Sequence, residues 1–308
     1  MSPFLSSLWA TAKSSLHLLG EVRVWPLGVA YLLYGVCTIL AALRWQQLLR
    51  GVGQKVRLRE PLAINLMSVL TNNVVPGRVP GELFRIAMLR MRTGVSVGKA
   101  AAASTYDRVL DVVPLTVMTL LALPIVWPLI GNALVKASAP ALRYLAVGVL
   151  VLLALFLLIK LGHGRSQALR ERLRALSQRL RSAHIARKPL LYATGASFAM
   201  YLLDAVRYSQ IASALQVELS PGRALLLAVI ATMAGLLPSL GGIGAIEGGL
   251  TIALVQFGVP LERALAIALL ERLASYVLVN VIAAVLLLLL GGVGVIRALR
   301  AAPASARS

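Results

Sequence analysis

The chain has 308 residues, 59% of them hydrophobic and only 14% charged, and its mean hydropathy is +0.83. A soluble domain is typically about 45–50% apolar and about 25% charged, so this composition excludes an ordinary water-soluble fold and points to a membrane protein. The net charge of +20, from 31 basic and 11 acidic residues, would elsewhere suggest nucleic acid; here the bases fall between apolar segments rather than on one polar face, and no nucleic-acid partner is expected.

In chain order, residues 1–25 are too polar to span, but Leu5, Leu8, Ala12, Leu16 and Leu19 form a helical stripe, which predicts an interfacial amphipathic helix. Five segments are long and apolar enough to cross a bilayer: 26–43, 109–130, 143–162, 190–215 and 273–290. Two further apolar regions, 61–92 and 222–257, are each interrupted by a Pro/Gly cluster. The first break contains Pro76, Gly77, Pro80 and Gly81 within "NNVVPGRVPGELFR". The second contains Pro238, Gly241, Gly242 and Gly244 within "PSLGGIGAIEGG". Such clusters end helices. Between the third and fourth spans, 163–189 carries eight basic residues and one acid, with Leu169, Leu173, Leu176 and Leu180 in one stripe; this predicts a cytoplasmic loop lying on an anionic leaflet. A basic tail, 298–308, closes the chain.

Basic residues set the orientation. Of the 31, 21 lie in 44–60, 85–99, 160–188 and 297–307, which are therefore expected in the cytoplasm together with the C-terminus. The spans then alternate only if 61–92 enters and leaves from the cytoplasm and 222–257 enters and leaves from outside, as re-entrant hairpins. The N-terminus falls outside in this arrangement, and a first span missing from the start of the chain would account for it.

The two broken regions resemble each other. "GVSVGKAAAASTYDRVLD" (94–111) aligns without gaps to "GVPLERALAIALLERLAS" (258–275), with Asp107–Arg108 opposite Glu271–Arg272. Three spans separate the copies, so they have opposite orientations: repeat one over 61–130 and repeat two over 222–290, inside a single domain covering 26–297. Inverted repeats with broken helices meeting near the midplane are an architecture of secondary transporters, and irregular backbone at membrane depth requires a protein-lined or wetted cavity. The expected fold class is an all-α polytopic membrane protein with two such repeats.

Charges inside apolar segments are costly unless paired or wetted. Asp107, Arg108, Asp111, Asp204, Arg207, Glu247, Glu271 and Arg272 all lie in or beside spans. Asp204 and Arg207, three residues apart on a helix, can pair. Structural ion pairing is the plain reading of them all. The functional reading is a headgroup path in which Arg78, Arg85, Arg108 and Arg272 bind phosphate through their guanidinium forks. Glu82, Glu247 and Glu271 would hold these arginines, bind an amine or carry a proton, and Asn72 and Asn73 would cap freed backbone groups or bind a headgroup. The arginines are expected to outnumber nearby carboxylates. The lone Cys37 sits in an apolar run, and His17, His163 and His184 have no ligand spacing, so neither a metal nor a cofactor is expected.

"RWQQLL" after the first span, "NNVVPGRVPGELFR", "DRVLD" and "PSLGGIGAIEGGL" followed by "GVPLERALAIALLERL" resemble the lysylphosphatidylglycerol synthase transmembrane-region family, also called flippase-like domain proteins, over roughly 26–295. No nucleophile–base or metal set appears in the sequence, so an intramembrane enzyme is not expected. The resemblance implies a polytopic lipid translocase core. Its members include the flippase half of the multiple peptide resistance factor, which moves aminoacylated phosphatidylglycerol outward, and others tied to hopanoid, cardiolipin or polyprenyl-linked glycan pathways. It places functional weight on Arg78, Glu82, Arg85, Arg108, Asp111, Glu247 and Arg272. Two departures stand out: the family's usual first span is not found, and no soluble aminoacyl-transferase domain follows, so synthesis of lysylphosphatidylglycerol is not expected. The resulting expectation is a lipid flippase of a prokaryotic inner membrane, with anionic headgroups as partners and room for homo-oligomers. The alternative is a non-transporting scaffold for a glycosyltransferase or a lipid-biosynthesis enzyme.

Overall fold

The computed structural model describes residues 20, 22–75, 79–135, 186–237 and 241–289. The expected interfacial helix, the span 143–162, most of the basic loop 163–189, the basic tail, and Pro76, Gly77, Arg78 and Pro238 at the breaks therefore lie outside the described residues. The described chain is helical throughout, with no strand. Its elements are α1 (Val24–Gly51), α2 (Arg59–Val74), α3 (Val79–Thr93), α4 (Val97–Val135), α5 (Arg187–Ala214), α6 (Pro221–Ala234), α7 (Ala245–Gln256) and α8 (Leu261–Leu289). Helices α1, α5 and α8 are each long and apolar enough to cross a membrane, as a polytopic fold requires.

Helices α1 and α5 form the most extensive pairing. Three bonds tie them at three levels: Arg23 N–H to Ala214 C=O, Cys37 Sγ to Met200 C=O, and Arg44 Nη1 to Ser197 Oγ. One residue number rises as the other falls, so the pair is antiparallel. Around this axis lie two apolar cores. One joins Trp45, Leu48 and Leu49 of α1 to Ile64, Met67, Leu89, Ala100 and Ala103. The other joins Ala30 to Tyr208 and Ile211 of α5 and to Leu227, Leu250, Leu254, Ala264 and Ile267 of α6, α7 and α8. Alanines at many contact positions let the backbones approach closely, the usual basis of helix packing in lipid. Leu120, Leu121, Leu191, Leu288 and Leu289 remain exposed, as lipid-facing positions would be.

The broken regions fold as two helix pairs, α2 with α3 and α6 with α7. Each break is built by its sequence. Helix α2 leaves α geometry at Val75, which is extended, and α3 resumes with Pro80 in its first turn. Helix α6 starts on a Ser220 cap with Pro221 at the first position and ends at Gly235. Gly241, Gly242 and Gly244 all have positive φ before α7. After each pair the chain turns on a glycine in the left-handed region, Gly94 and Gly258, and enters a long helix.

Three boundaries differ from the sequence reading: the first span, expected over 26–43, lies within α1, which runs on through Arg44 to Gly51. The apolar stretch 109–130 is only the later part of α4, a 39-residue helix beginning at Val97. Likewise 273–290 begins inside α8, which starts at Leu261. Hydropathy ends a span at the first charges, whereas the helix continues through charges that are paired. Just after Glu271 and Arg272, α8 adopts π-helical turns over Leu273–Leu278.

Candidate functional site

The first cluster sits where the end of α1, the start of α3 and the early turns of α4 converge. Arg44 reaches Asp107 (2.8 Å) and Asp111 (2.6 Å). Arg85 reaches Asp107 (2.7 Å) and, more distantly, Glu82 (3.7 Å). Arg108 pairs with Glu82, its Nε standing 3.1 Å from Oε2, and with Asp111 at 3.3 Å. These six side chains close a ring in which cation and anion alternate. Asp107 lies at its buried centre, 3% exposed, between two arginines. Trp45 floors the ring, its indole 3.8 Å from the Arg85 guanidinium, a desolvated cation–π contact. Arg108 differs from the other two cations. Its side chain is 43% exposed, whereas those of Arg44 and Arg85 are buried.

The second cluster joins α7 to α8. Arg272 Nε donates to Glu247 Oε1 (2.8 Å) and its Nη2 donates to the Gly241 carbonyl (2.9 Å), while the guanidinium lies over the Tyr276 ring. Glu247 also turns back to accept the Gly244 N–H at 2.8 Å, filling one orphan donor of the α7 N-terminus. One arginine thereby pins both the loop and the first turn of the helix after the second break.

The third cluster lies between α5 and α8. Arg207 donates to Asp204 (2.9 Å) and Glu271 (3.2 Å), with Tyr208 and Tyr34 rings against its guanidinium. Asp204 and Arg207 thus pair at the spacing noted in the sequence.

The aligned acid–arginine pairs behave alike. In both, acid and arginine turn to different partners. Asp107 and Glu271 go inward to buried arginines, while Arg108 and Arg272 go to the first-turn glutamates Glu82 and Glu247 of the helices after the breaks.

The breaks themselves meet. Asn73, at the end of α2, donates to Asn280 Oδ1 (2.8 Å), and its carbonyl accepts from Tyr276 Oη (3.4 Å). A Cβ added to Gly241 would lie 2.3 Å from Asn73 Oδ1 and 2.7 Å from the Tyr276 ring, so only glycine allows this approach. Asn72 instead caps α3, accepting the Gly81 N–H at 3.0 Å.

Of the residues singled out in the sequence, Glu82, Arg85, Arg108, Asp107 and Asp111 come together in the ring. Glu247 and Arg272 pair at the second break, and Asp204, Arg207 and Glu271 form the third cluster. Asn72 and Asn73 hold the first break, and Arg78 lies outside the described residues. One expectation is corrected. Arginines do not outnumber carboxylates in the described clusters, because Glu82, Asp107 and Asp111 face Arg44, Arg85 and Arg108 and balance them. Arg85 has no open face: it is buried between Asp107 and Trp45. The sequence reading missed Arg44, Trp45, Ser197, Tyr34, Tyr276 and Asn280. Arg44 and Trp45 open the quoted "RWQQLL", where Arg44 counts only as one more base after a span. Among the described residues no group of acids, histidines and cysteines could hold a metal ion.

Spanning helices, paired broken helices and arginine–carboxylate clusters at the breaks define a polytopic α-helical membrane protein. The chain belongs to the family described as the lysylphosphatidylglycerol synthase transmembrane region, whose family model matches residues 5–284. A UPF0104 membrane protein of Pyrococcus horikoshii is 27% identical over 116 residues, covering 37% of this chain and 35% of the relative. A UPF0104 membrane protein of Methanothermobacter thermautotrophicus is 28% identical over 119 residues, covering 39% of this chain and 34% of the relative. Another from the same organism is 25% identical over 282 residues, covering 82% of this chain and 81% of the relative. The matched stretch thus spans about a third of the first two relatives and most of the third.

Proposed function

We propose that this membrane protein moves a lipid with an anionic or phosphate-bearing headgroup between leaflets, without covalent chemistry. The substrate class covers phospholipids, aminoacylated phospholipids and polyprenyl-phosphate-linked lipids. In this reading the two helix pairs are inverted-topology repeats that re-enter from opposite faces. The membrane is the cytoplasmic membrane of a prokaryote, with the C-terminus inside.

The observation that carries the proposal is Arg108. It is the cation of the ring whose side chain is exposed, and its contact with Asp111 is long at 3.3 Å. A phosphate oxygen could take the place of Asp111 and engage the fork, while Asp111 keeps Arg44. Arg272, at the aligned position in the other copy, would receive the headgroup beyond the point where the two breaks touch. The neutral ring keeps the unoccupied path from holding a bare charge in a low-dielectric setting. Two features support the family's link to lipid: apolar side chains exposed around the helices, and polar groups gathered at their interruptions.

The scaffold reading also has an observation in its favour, because every arginine in these clusters already has a carboxylate partner. Proteoliposomes separate the two. Labelled phosphatidylglycerol should equilibrate across vesicles containing the protein faster than across empty vesicles, and faster than labelled phosphatidylcholine. Rates equal to those of empty vesicles for every anionic lipid tried would leave the scaffold.

A further inference from the structure

A second basic site lies away from the clusters, at the end of α1. An opening of about 590 Å³ is lined by Gln46, Arg50, Gly53, Lys55, Val56 and Arg57. Three of these are cations and none is an acid. No described ion pair involves Arg50, Lys55 or Arg57, and all three are exposed. The site is held in shape from beneath. Buried Gln46 donates from Nε2 to the Val56 carbonyl at 2.8 Å, and Val56 is itself buried. Gly53, at φ +77°, and the Gln54 N–H bond to the Leu49 carbonyl fold the loop back on the helix. With Val56 turned inward, the residues on either side of it turn outward, so Lys55 and Arg57 flank the opening while Arg50 overhangs it from the last turn of α1. The apolar part of α1 ends at Leu43, which places the site just past the end of a span, at headgroup depth.

We infer that this opening binds the phosphate of a membrane lipid whose headgroup ends in a phosphomonoester or diphosphate. Simple attraction to an anionic leaflet needs no shaped loop and makes no distinction among anionic lipids. Three cations converging on one opening favour an anion with more than one negative charge. A phosphomonoester carries about −1.5 to −2 at neutral pH, against about −1 for a phosphodiester. A free phosphate offers the same charge, but the position beside a span selects the lipid-borne form. The inference does not depend on translocation: binding here without lipid movement would keep this site and remove the transport reading.

The test is thermal stabilisation of the purified full chain in neutral detergent at fixed ionic strength. It is titrated with short-chain phosphatidic acid, short-chain phosphatidylglycerol, short-chain phosphatidylcholine and inorganic phosphate. Lys55→Gln with Arg57→Gln is compared with a control of equal charge loss, Arg90→Gln with Lys99→Gln, both exposed positions outside the opening. Phosphatidic acid should stabilise the wild type saturably, at lower concentration than phosphatidylglycerol. The pocket variant should need roughly tenfold more phosphatidic acid or beyond, and the control less than about twofold more. Equal losses in the two variants would show general charge attraction and overturn the site. Equal potency of phosphatidylglycerol would overturn the phosphomonoester preference. Saturation by inorganic phosphate at the same concentration would overturn the lipid source.

Discussion

Asp107 is the most deeply buried side chain of the ring. It is buried and is shared by Arg44 and Arg85, whose guanidiniums are themselves buried. Removing the acid leaves buried Arg85 with only the distant Glu82 and Arg44 with Asp111 alone, and breaking a buried pair costs about 3–5 kcal/mol. Asp107→Ala is therefore expected to destabilise the fold severely in a thermal unfolding measurement. Asp111→Ala, at a 35%-exposed side chain, should cost about 1 kcal/mol or less. Glu271→Ala should fall between them, because Arg207 keeps Asp204. The glycines of the second break divide similarly. Gly244 has φ +81° but open space around a Cβ, so Gly244→Ala carries only the backbone cost of a positive φ, about 1–3 kcal/mol. At Gly241 the same substitution adds a collision with Asn73 and Tyr276, and its measured loss of stability should be the larger of the two.

Helices show where sequence reading ends. The interrupted regions were legible because Pro80, Gly81 and the Gly241–Gly244 cluster are local signals that act within a turn or two. The starts of α4 and α8 were not, since each runs through charges that hydropathy treats as the end of a span, and only a partner on another helix makes those charges acceptable. For the same reason the Asp204–Arg207 pair could be read from its spacing within one helix, whereas Arg44 could not. Its partners, Asp107, Asp111 and Ser197, lie on two other helices. The contact of the first break with the second half is likewise long-range, carried by Asn73 of α2 and Asn280 of α8. A double-mutant cycle of Asn73→Ala and Asn280→Ala should give a coupling of about 0.5–1.5 kcal/mol if that bond joins the two halves. Additive losses would mean the halves are held by packing alone.

For the whole molecule the account requires that the two helix pairs open to opposite faces. Val75 and Leu236 lie beside the first and second breaks and are both exposed, while Cys37 is buried and should label slowly. An impermeant thiol reagent should reach Val75→Cys from one face of sealed vesicles and Leu236→Cys from the other. Labelling of both from the same face would remove the inverted arrangement. The central claim, that the polar groups at the breaks carry a lipid headgroup, is tested most directly by lipid flux through Arg108 variants in proteoliposomes, read beside their thermal stability. Arg108→Lys keeps the charge but loses the fork, so anionic-lipid flux should fall at least about tenfold while the melting temperature stays near that of the wild type. Arg108→Ala should abolish flux in protein that is still folded. Normal flux in both variants, or flux lost only in step with unfolding, would contradict the account and leave the ring as a structural brace.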